Sequence, residues 1–433
     1  MPSDDVFRTP KGVHDVLPPE SGRWIDIVAR FADRARRYGY GLAITPMFEH
    51  VEVFARVGEH TDVVAKEMYE LTDKGGRHLA LRPEGTASVV RAFVQHRPPL
   101  PWKVWYVAPN FRYERAQKGR YRQHWQLGVE ALGIEDPAID VEVIALLAGF
   151  YADLGVPNVR LLLNSMGDAR TRPGFVGALR TYFRAGGAAL GDDFLARVAA
   201  NPLRVLDAKV PEWQDLIAGA PKITDHLSDL AAAHFEQVQT NLRALDLDFE
   251  LEPRLVRGFD YYTGTTFEFQ TRALDAAQNA IGGGGRYDGL AEEFGGPPTP
   301  GIGFGTGLER IVLALEAGGV AGPGSNVEVF VVDGLGDDDD ITVAMLVEQL
   351  RSAGLAVERA YGGRSVKAQW KAADRSGAGV AVMVGRDEFE RDGVAVKDLG
   401  TGEQVEVPRA GLVAWLNARS ARPAGPRAGV VID

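Results

Sequence analysis

An arginine stands where strand-forming residues should in "RLVRGFDYYTGTTFEFQ", residues 254–270. The aromatic and β-branched residues around it predict strand, turn, strand. Burying a lone guanidinium is costly, so Arg257 either pairs with a carboxylate such as Asp260 or waits for an anionic ligand. A second cationic group lies in "NFRYERAQKGRYRQHWQLGVE", residues 110–130. Strand alternation puts Arg112 and Glu114 on one face, with Phe111 and Tyr113 on the other. On the returning strand Gln126 and Glu130 share a face, and Trp125, Leu127 and Val129 point oppositely. With Lys118, Arg120 and Arg122 in the connecting loop, this is either a polar floor and cationic lid for a polyphosphate or a solvated hairpin.

Glycine supplies the other signals. In "GIGFGTGLER" Gly301, Gly303, Gly305 and Gly307 leave one strand face bare, and Arg310 follows one helical turn later. A flat ligand could approach such a backbone, or the glycines could serve tight helix–strand packing. The spacing is not the dinucleotide fingerprint, and no G-x-x-x-x-G-K-[ST] loop occurs. "IGGGGRYDGL", residues 281–290, reads as a phosphate loop or a wide turn. The absence of cysteine excludes disulfides, zinc–thiolate sites and iron–sulfur clusters. The eight histidines show no metal-binding spacing, so no metal site is expected.

The elements that must position these groups divide the 433 residues into more than one domain. Residues 21–37 repeat apolar groups at helical spacing, and "YGYGLAITPMFEH" reads as a strand ending at Pro46. "GRHLALRPEGTASVVRAFVQHRP" is a strand entering a helix, and "DPAIDVEVIALLAGFYADLG" a helix stopped by Gly155. Alanine- and leucine-rich helices then interrupt the β-rich material over residues 171–249. Residues 1–325 are therefore read as one mixed domain with a helical insertion. Beyond the Gly/Pro linker "GVAGPGSN", residues 326–420 alternate strands and helices as a small α/β domain with a largely parallel sheet, and 421–433 form a tail. A net charge of −11 argues against a general nucleic-acid binder, though not against one basic face. The N-terminus lacks an apolar signal region, and residues 143–152 are too short a run to span a bilayer, so a cytoplasmic protein is expected.

Taken together, these segments resemble a class II aminoacyl-tRNA synthetase. "RRYGYGLAITP" is similar to that class's first motif, used at its dimer interface, the hairpin of Arg112 and Glu114 to its second, and "GIGFGTGLER" to its third. "LALRPEGTASVVRAF", "RYRQHWQLGVEALG", "RLVRGFDYYTG" and "GGGGRYDGL" resemble the histidyl-tRNA synthetase family specifically. "GGRSVKAQWKAADRSGA" and "VKDLGTGEQVEV" resemble its anticodon-binding domain, and the likeness runs from about residue 8 to 419. It implies an α+β fold: an antiparallel-sheet catalytic core with a helical insertion, followed by a C-terminal α/β anticodon-binding domain.

The resemblance also implies the chemistry. Histidine and ATP, with Mg²⁺ brought by the nucleotide, would give histidyl-adenylate and pyrophosphate. The histidyl group would then pass to the 3′-terminal ribose of tRNA(His), on a homodimer. Arg112 and Arg257 would stabilise the α-phosphate in the transition state, an effect typically worth ~10²–10³ in rate. Histidine would be held by Glu84, Gly85, Thr86, Arg112, Gln126, Glu130, Arg257, Tyr261, Tyr262 and Tyr287, and ATP by Arg112, Glu114, Arg120, Tyr121 and Arg310. Two departures from the family pattern are Ala116, where proline is usual, and His124, where an adenine-stacking aromatic is frequent. Inactive relatives that regulate ATP phosphoribosyltransferase in histidine biosynthesis are the alternative. They typically lack both "RLVRGFDYYTG" and the anticodon domain, which this chain has.

Overall fold

In the computed structural model of the chain, which describes residues 7–56, 62–206, 208, 210–256, 261–274, 279–322, 327–336 and 340–420, the helix Pro137–Leu154 underlies the core. Asp136 caps it by accepting the Ala138 N–H at 2.8 Å, and Gly155 closes it at φ 71°. Its apolar residues occur all round rather than in a stripe, because it is covered by a sheet on one side and helices on the others. Phe150 on this helix meets Phe31 of the helix Glu20–Arg37 edge-on at 4.9 Å, and Phe31 meets Phe304 of the sheet at 6.1 Å.

The strands of the larger unit are β1 Gly41–Leu42, β2 Phe48–His50, β3 Tyr69–Thr72, β4 His78–Leu81, β5 Trp102–Phe111 and β6 Gln123–Leu132. They continue with β7 Val159–Ser165, β8 Glu250–Leu251, β9 Thr263–Thr271, β10 Ala280–Arg286 and β11 Gly301–Gly307. Eight of them form one sheet in the order β1-β5-β6-β11-β10-β9-β7-β8. Its pairings from β5 to β7 are antiparallel, and only the short edge strands β1 and β8 pair in parallel. The smaller unit adds β12 Val329–Gly334, β13 Val357–Arg359, β14 Val380–Gly385, β15 Gly393–Asp398 and β16 Gln404–Pro408, around its own valine- and leucine-rich core. This is the expected mixed architecture, an antiparallel core sheet followed by an α/β unit. The chain divides into residues 1–16 with 24–321 and residues 17–23 with 322–433.

The helices between Thr171 and Ala218 have an apolar cluster of their own, in which Phe175, Phe183, Phe194 and Trp213 meet, whereas Phe235, Val238 and Leu242 of the helix Asp229–Ala244 join the main core. The path into this segment and the path out of it converge on Asp168. Its carboxylate accepts the Thr171 hydroxyl (2.8 Å) and the Ser228 hydroxyl (2.7 Å), and Ser228 in turn caps the helix Asp229–Ala244. These donors hold the Asp168 carboxyl down at about 2 despite the opposing effect of desolvation.

Several sequence expectations are corrected. "YGYGLAITPMFEH" contributes only β1 and β2, since the last ladder bond is Ala43 N–H to Trp105 C=O at 2.8 Å. Ile44 and Met47 beyond it are 87% and 50% exposed. "IGGGGRYDGL" is neither phosphate loop nor wide turn: its four consecutive glycines belong to β10 in mid-sheet, with Gly283 opposite Gly305 and Gly285 opposite Gly303. Two glycine strands lie side by side here because any side chain on Gly284 would overlap the Gly303 carbonyl. Of the expected strand–turn–strand at residues 254–270, only β9 forms a strand among the described residues. β5 ends at Phe111, and the Glu114 N–H bonds the Arg112 C=O at 2.8 Å, so these two residues lie in a tight turn beyond the strand rather than on it, their side chains 3.9 Å apart. The smaller sheet is mixed, with β12 parallel to β13 and β14 while β15 and β16 run antiparallel.

Candidate active site

Glu130 is fully buried near the C-terminal end of β6 and is surrounded by hydroxyls. Thr86 and Tyr106 donate to its Oε1 at 2.7 and 3.4 Å, and Tyr287 donates to Oε2 at 2.5 Å. Burial pushes its pKa up to about 8, against the pull of the hydroxyl donors, with the Glu84 carboxylate adding to the rise. At neutral pH the carboxyl is therefore largely protonated. Glu84, also buried, accepts the N–H groups of Thr86 and Ala87, each at 2.7 Å. It thereby caps the helix Thr86–His96, whose N-terminal field favours an anion, although burial raises its pKa. Gly85 precedes that helix because the Tyr106 ring lies 2.5 Å from where its Cβ would be.

Gly305 and Gly307 of β11 line a cavity, whereas much of the strand's bare face is already occupied. Side chains from elsewhere in the chain fill it: a Cβ on Gly303 would overlap the Glu130 carboxylate, one on Gly305 the Gln126 amide, and one on Gly301 the Tyr287 ring. The glycines therefore make room for the polar floor. Asn110, fully buried, donates to Gln126 Oε1 at 2.7 Å and fixes that amide.

Beside this floor opens a cavity of about 320 Å³ walled by Arg112, Arg120, Tyr121, His124, Glu268 and Arg310, with Gln126 in its base. Arg112 Nε donates to the Pro83 carbonyl at 2.9 Å. The Glu114 carboxylate sits between two cations, 3.9 Å from Arg112 and 3.4 Å from Arg120. Arg310 donates to the carbonyls of Ala280 (2.6 Å) and Gly119 (3.3 Å), so it ties the glycine strand β10 to the basic loop. Desolvation and the nearby Arg120 lower its pKa. His124 is pushed down to about 3 by burial and by Arg112 and Arg310, so it presents a neutral ring at neutral pH. The Tyr121 ring meets His14 at 4.4 Å. Glu309 accepts the Trp125 N–H at 2.9 and 3.1 Å and is pushed up to about 7 by burial.

The structure thus brings Arg112, Arg120, Tyr121, Gln126 and Arg310 to one cavity and joins Glu84, Thr86, Glu130 and Tyr287 behind it. Tyr261 meets Tyr262 with their rings tilted by 41° at 4.6 Å, and meets Tyr287 edge-on at 5.9 Å. Arg257 and Asp260 lie outside the described residues. Tyr106, Asn110 and Glu309 escaped the sequence reading. The signal for the first two was present: Tyr106 and Asn110 stand opposite Gly128 and His124 on the strand pair that carries Gln126 and Glu130. Among the described residues no group of three or more His, Asp or Glu converges as a metal site would require.

A family model described as histidyl-tRNA synthetase matches residues 12–171 and 194–311, and one described as an anticodon binding domain matches residues 330–419. The chain is 49% identical over 413 residues to a histidine–tRNA ligase of Rhodococcus erythropolis, covering 94% of this chain and 97% of the relative. It is 48% identical to one of Geobacillus thermodenitrificans, covering 96% and 99%. A crystal structure of apo histidyl-tRNA synthetase from S. aureus superposes with a TM-score of 0.79 at 36% identity, over 95% of this chain and 100% of that one.

Proposed function

The chain belongs to the histidyl-tRNA synthetase family, and on that premise we propose how its residues carry out the reaction. It is a histidine–tRNA ligase: it activates L-histidine with ATP and passes the histidyl group to tRNA(His). The similarity extends over the length of catalytic relatives and includes the anticodon-binding match, which favours tRNA charging over the regulation of ATP phosphoribosyltransferase.

The observation that carries the residue assignment is a buried carboxyl pocket adjoining a cation-walled cavity. Histidine lies with its imidazole toward Glu130 and Tyr262 and its ammonium toward Glu84, Thr86 and Gln126, while Tyr261 and Tyr287 close the pocket. Its carboxylate attacks the α-phosphorus of ATP, the bond to the bridging oxygen breaks, and pyrophosphate leaves. Arg112 and Arg257 neutralise charge that builds on the α-phosphoryl oxygens, and fixed donors of this kind are worth most when water is excluded. Arg310 and Arg120 hold the pyrophosphate, and Glu114 and Tyr121 orient the nucleotide. Mg²⁺ arrives on the ATP phosphates as part of that substrate. The ribose hydroxyl of the tRNA terminus then attacks the carbonyl of histidyl-adenylate and expels AMP.

Residues 1–325 serve as the catalytic domain, with the insertion at 171–249, and residues 326–420 bind the anticodon; the two family matches support this division. The enzyme works as a homodimer in the cytoplasm. The exposed Leu42, Ile44, Met47 and Phe48 support the first part. ATP–pyrophosphate exchange with each of the twenty amino acids, followed by charging of tRNA(His), tests the reading. Histidine alone should support exchange, and comparable exchange with another amino acid would overturn it.

A further inference from the structure

Arg286, at the end of β10, is 3% exposed and does not line the cavity, yet its guanidinium is bonded on every side. It lies 2.7 Å from Asp140 Oδ1 and donates to Oδ2 at 3.1 Å. It also donates to the carbonyls of Ile134, Glu135 and Asp136 at 3.2, 3.0 and 3.3 Å, and to Asp288 Oδ1 at 3.3 Å. Those three carbonyls lead into the helix Pro137–Leu154, and Asp140 is in its first turn. Asp140 Oδ2 has an outer partner, His234 Nε2 at 2.9 Å, on the helix Asp229–Ala244.

A buried ion pair seldom adds net stability over an apolar pair of the same volume, because desolvation offsets the attraction. Its value lies in fixing geometry, and the geometry at Arg286 is that of the amino-acid pocket. The next residue is Tyr287, whose hydroxyl reaches Glu130 at 2.5 Å. The residue after it, Asp288, accepts the Gly301 N–H at 3.2 Å and donates its own N–H to the Thr263 hydroxyl at 3.1 Å, adjacent to Tyr262. Between Gly285 and Arg286 the ladder to β9 shifts register, while the ladder to β11 runs on, with Arg286 opposite Ile302 and the Tyr287 N–H bonded to the Gly301 carbonyl at 2.8 Å. The Asp140–Arg286–Asp288 cluster holds the chain on the β9 side, where the ladder is interrupted.

We propose that Arg286 is a positioning residue for amino-acid recognition: gripped by Asp140, it sets the Tyr287 hydroxyl against Glu130 and holds Thr263, and with it Tyr262, in place, without touching substrate. This rests on the reading of the pocket as the histidine site. The test is ATP–pyrophosphate exchange by the full-length chain, with KM measured separately for histidine and for ATP. Arg286→Lys keeps a charge for Asp140 but loses the fork to the carbonyls and Asp288. Its histidine KM should rise on the order of tenfold, as a displaced positioning group predicts, with the ATP KM held within about twofold. Both constants unchanged, or both raised together, would overturn the proposal. Should that variant fail to fold, Asp288→Asn decides, since the Asp288 side chain is 46% exposed. The same split, about threefold for histidine, is expected, and its absence sinks the proposal. Failure of the unmodified chain to exchange with histidine would instead overturn the functional reading itself.

Discussion

The Thr86 hydroxyl donates to Glu130 at 2.7 Å across 44 residues of sequence, joining the first turn of a helix to the middle of the central sheet. The same Thr86 gives its backbone N–H to Glu84, so two buried carboxyl groups share one residue. Whatever binds at Glu130 therefore acts on the helix cap as well.

Glu130→Gln preserves shape but puts an amide donor where hydroxyl donors converge. Histidine-dependent exchange should fall by about 10²-fold or more, because a site built on buried polar partners discriminates strongly. The thermal unfolding curve should keep its single transition. Wild-type exchange in this variant would reduce Glu130 to a structural group.

Glu130 also predicts a pH dependence of stability in the absence of ligand. Its folded pKa of about 8 lies above the ordinary glutamate value of 4.5, so the unfolded chain releases the proton first. The stability this group contributes is complete below the unfolded value and is lost as pH rises through the folded one. His124 acts in the opposite window: its folded value of about 3 lies below 6.5, so stability present above 6.5 is lost as pH falls toward 3. Denaturant midpoints at about pH 5 and about pH 9 should differ less for Glu130→Gln than for the natural chain. Equal differences in the two would show that Glu130 does not titrate as described.

Arg310→Ala removes the cation that ties β10 to the basic loop and faces the cavity. Exchange should fall by about 10²-fold, as for loss of a fixed charge-stabilising donor. Stability should drop by only about 1–3 kcal/mol, for the Ala280 carbonyl left without its partner. Steady-state exchange and a urea titration measure the two separately. An intact exchange rate would leave Arg310 a purely structural tie.

Ile44→Asp places a charge in the most exposed apolar position of the segment after β1, where Ile44 is 87% exposed. Light scattering at micromolar concentration should show a dimer for the natural chain and a larger monomer fraction for the variant. A natural chain that is monomeric and fully active would refute the dimer.

Removing residues 326–433 should spare histidine activation more than tRNA charging, since the smaller unit has its own core. Charging at low tRNA concentration should fall on the order of tenfold or more, as expected for losing several nucleic-acid contacts. Charging equal to that of the full chain would show that this unit does not bind the anticodon.

The legibility of this chain followed the reach of its physics. Period-two alternation placed Gln126 and Glu130 together because β6 is regular along its length. Arg112 and Glu114 meet at 3.9 Å as that rule expects, although a turn begins one residue after β5 ends. The glycines of β11 were visible as a signal but not in meaning, because what they admit comes from elsewhere in the chain: Glu130, Gln126 and Tyr287. The Asp140–Arg286 pair, 146 residues apart, gave no local sign at all.

The convergence of Thr171 and Ser228 on Asp168 has a consequence for chain connectivity. The helical segment leaves and rejoins the catalytic fold at a single carboxylate, so its entry and exit are already neighbours. Lengthening or shortening the segment beyond that junction does not change the distance any other loop must span, and closing a longer excursion adds entropy only logarithmically. Such a junction lets the segment vary in size and surface as an independent module while the sheet that holds Glu130 keeps its register.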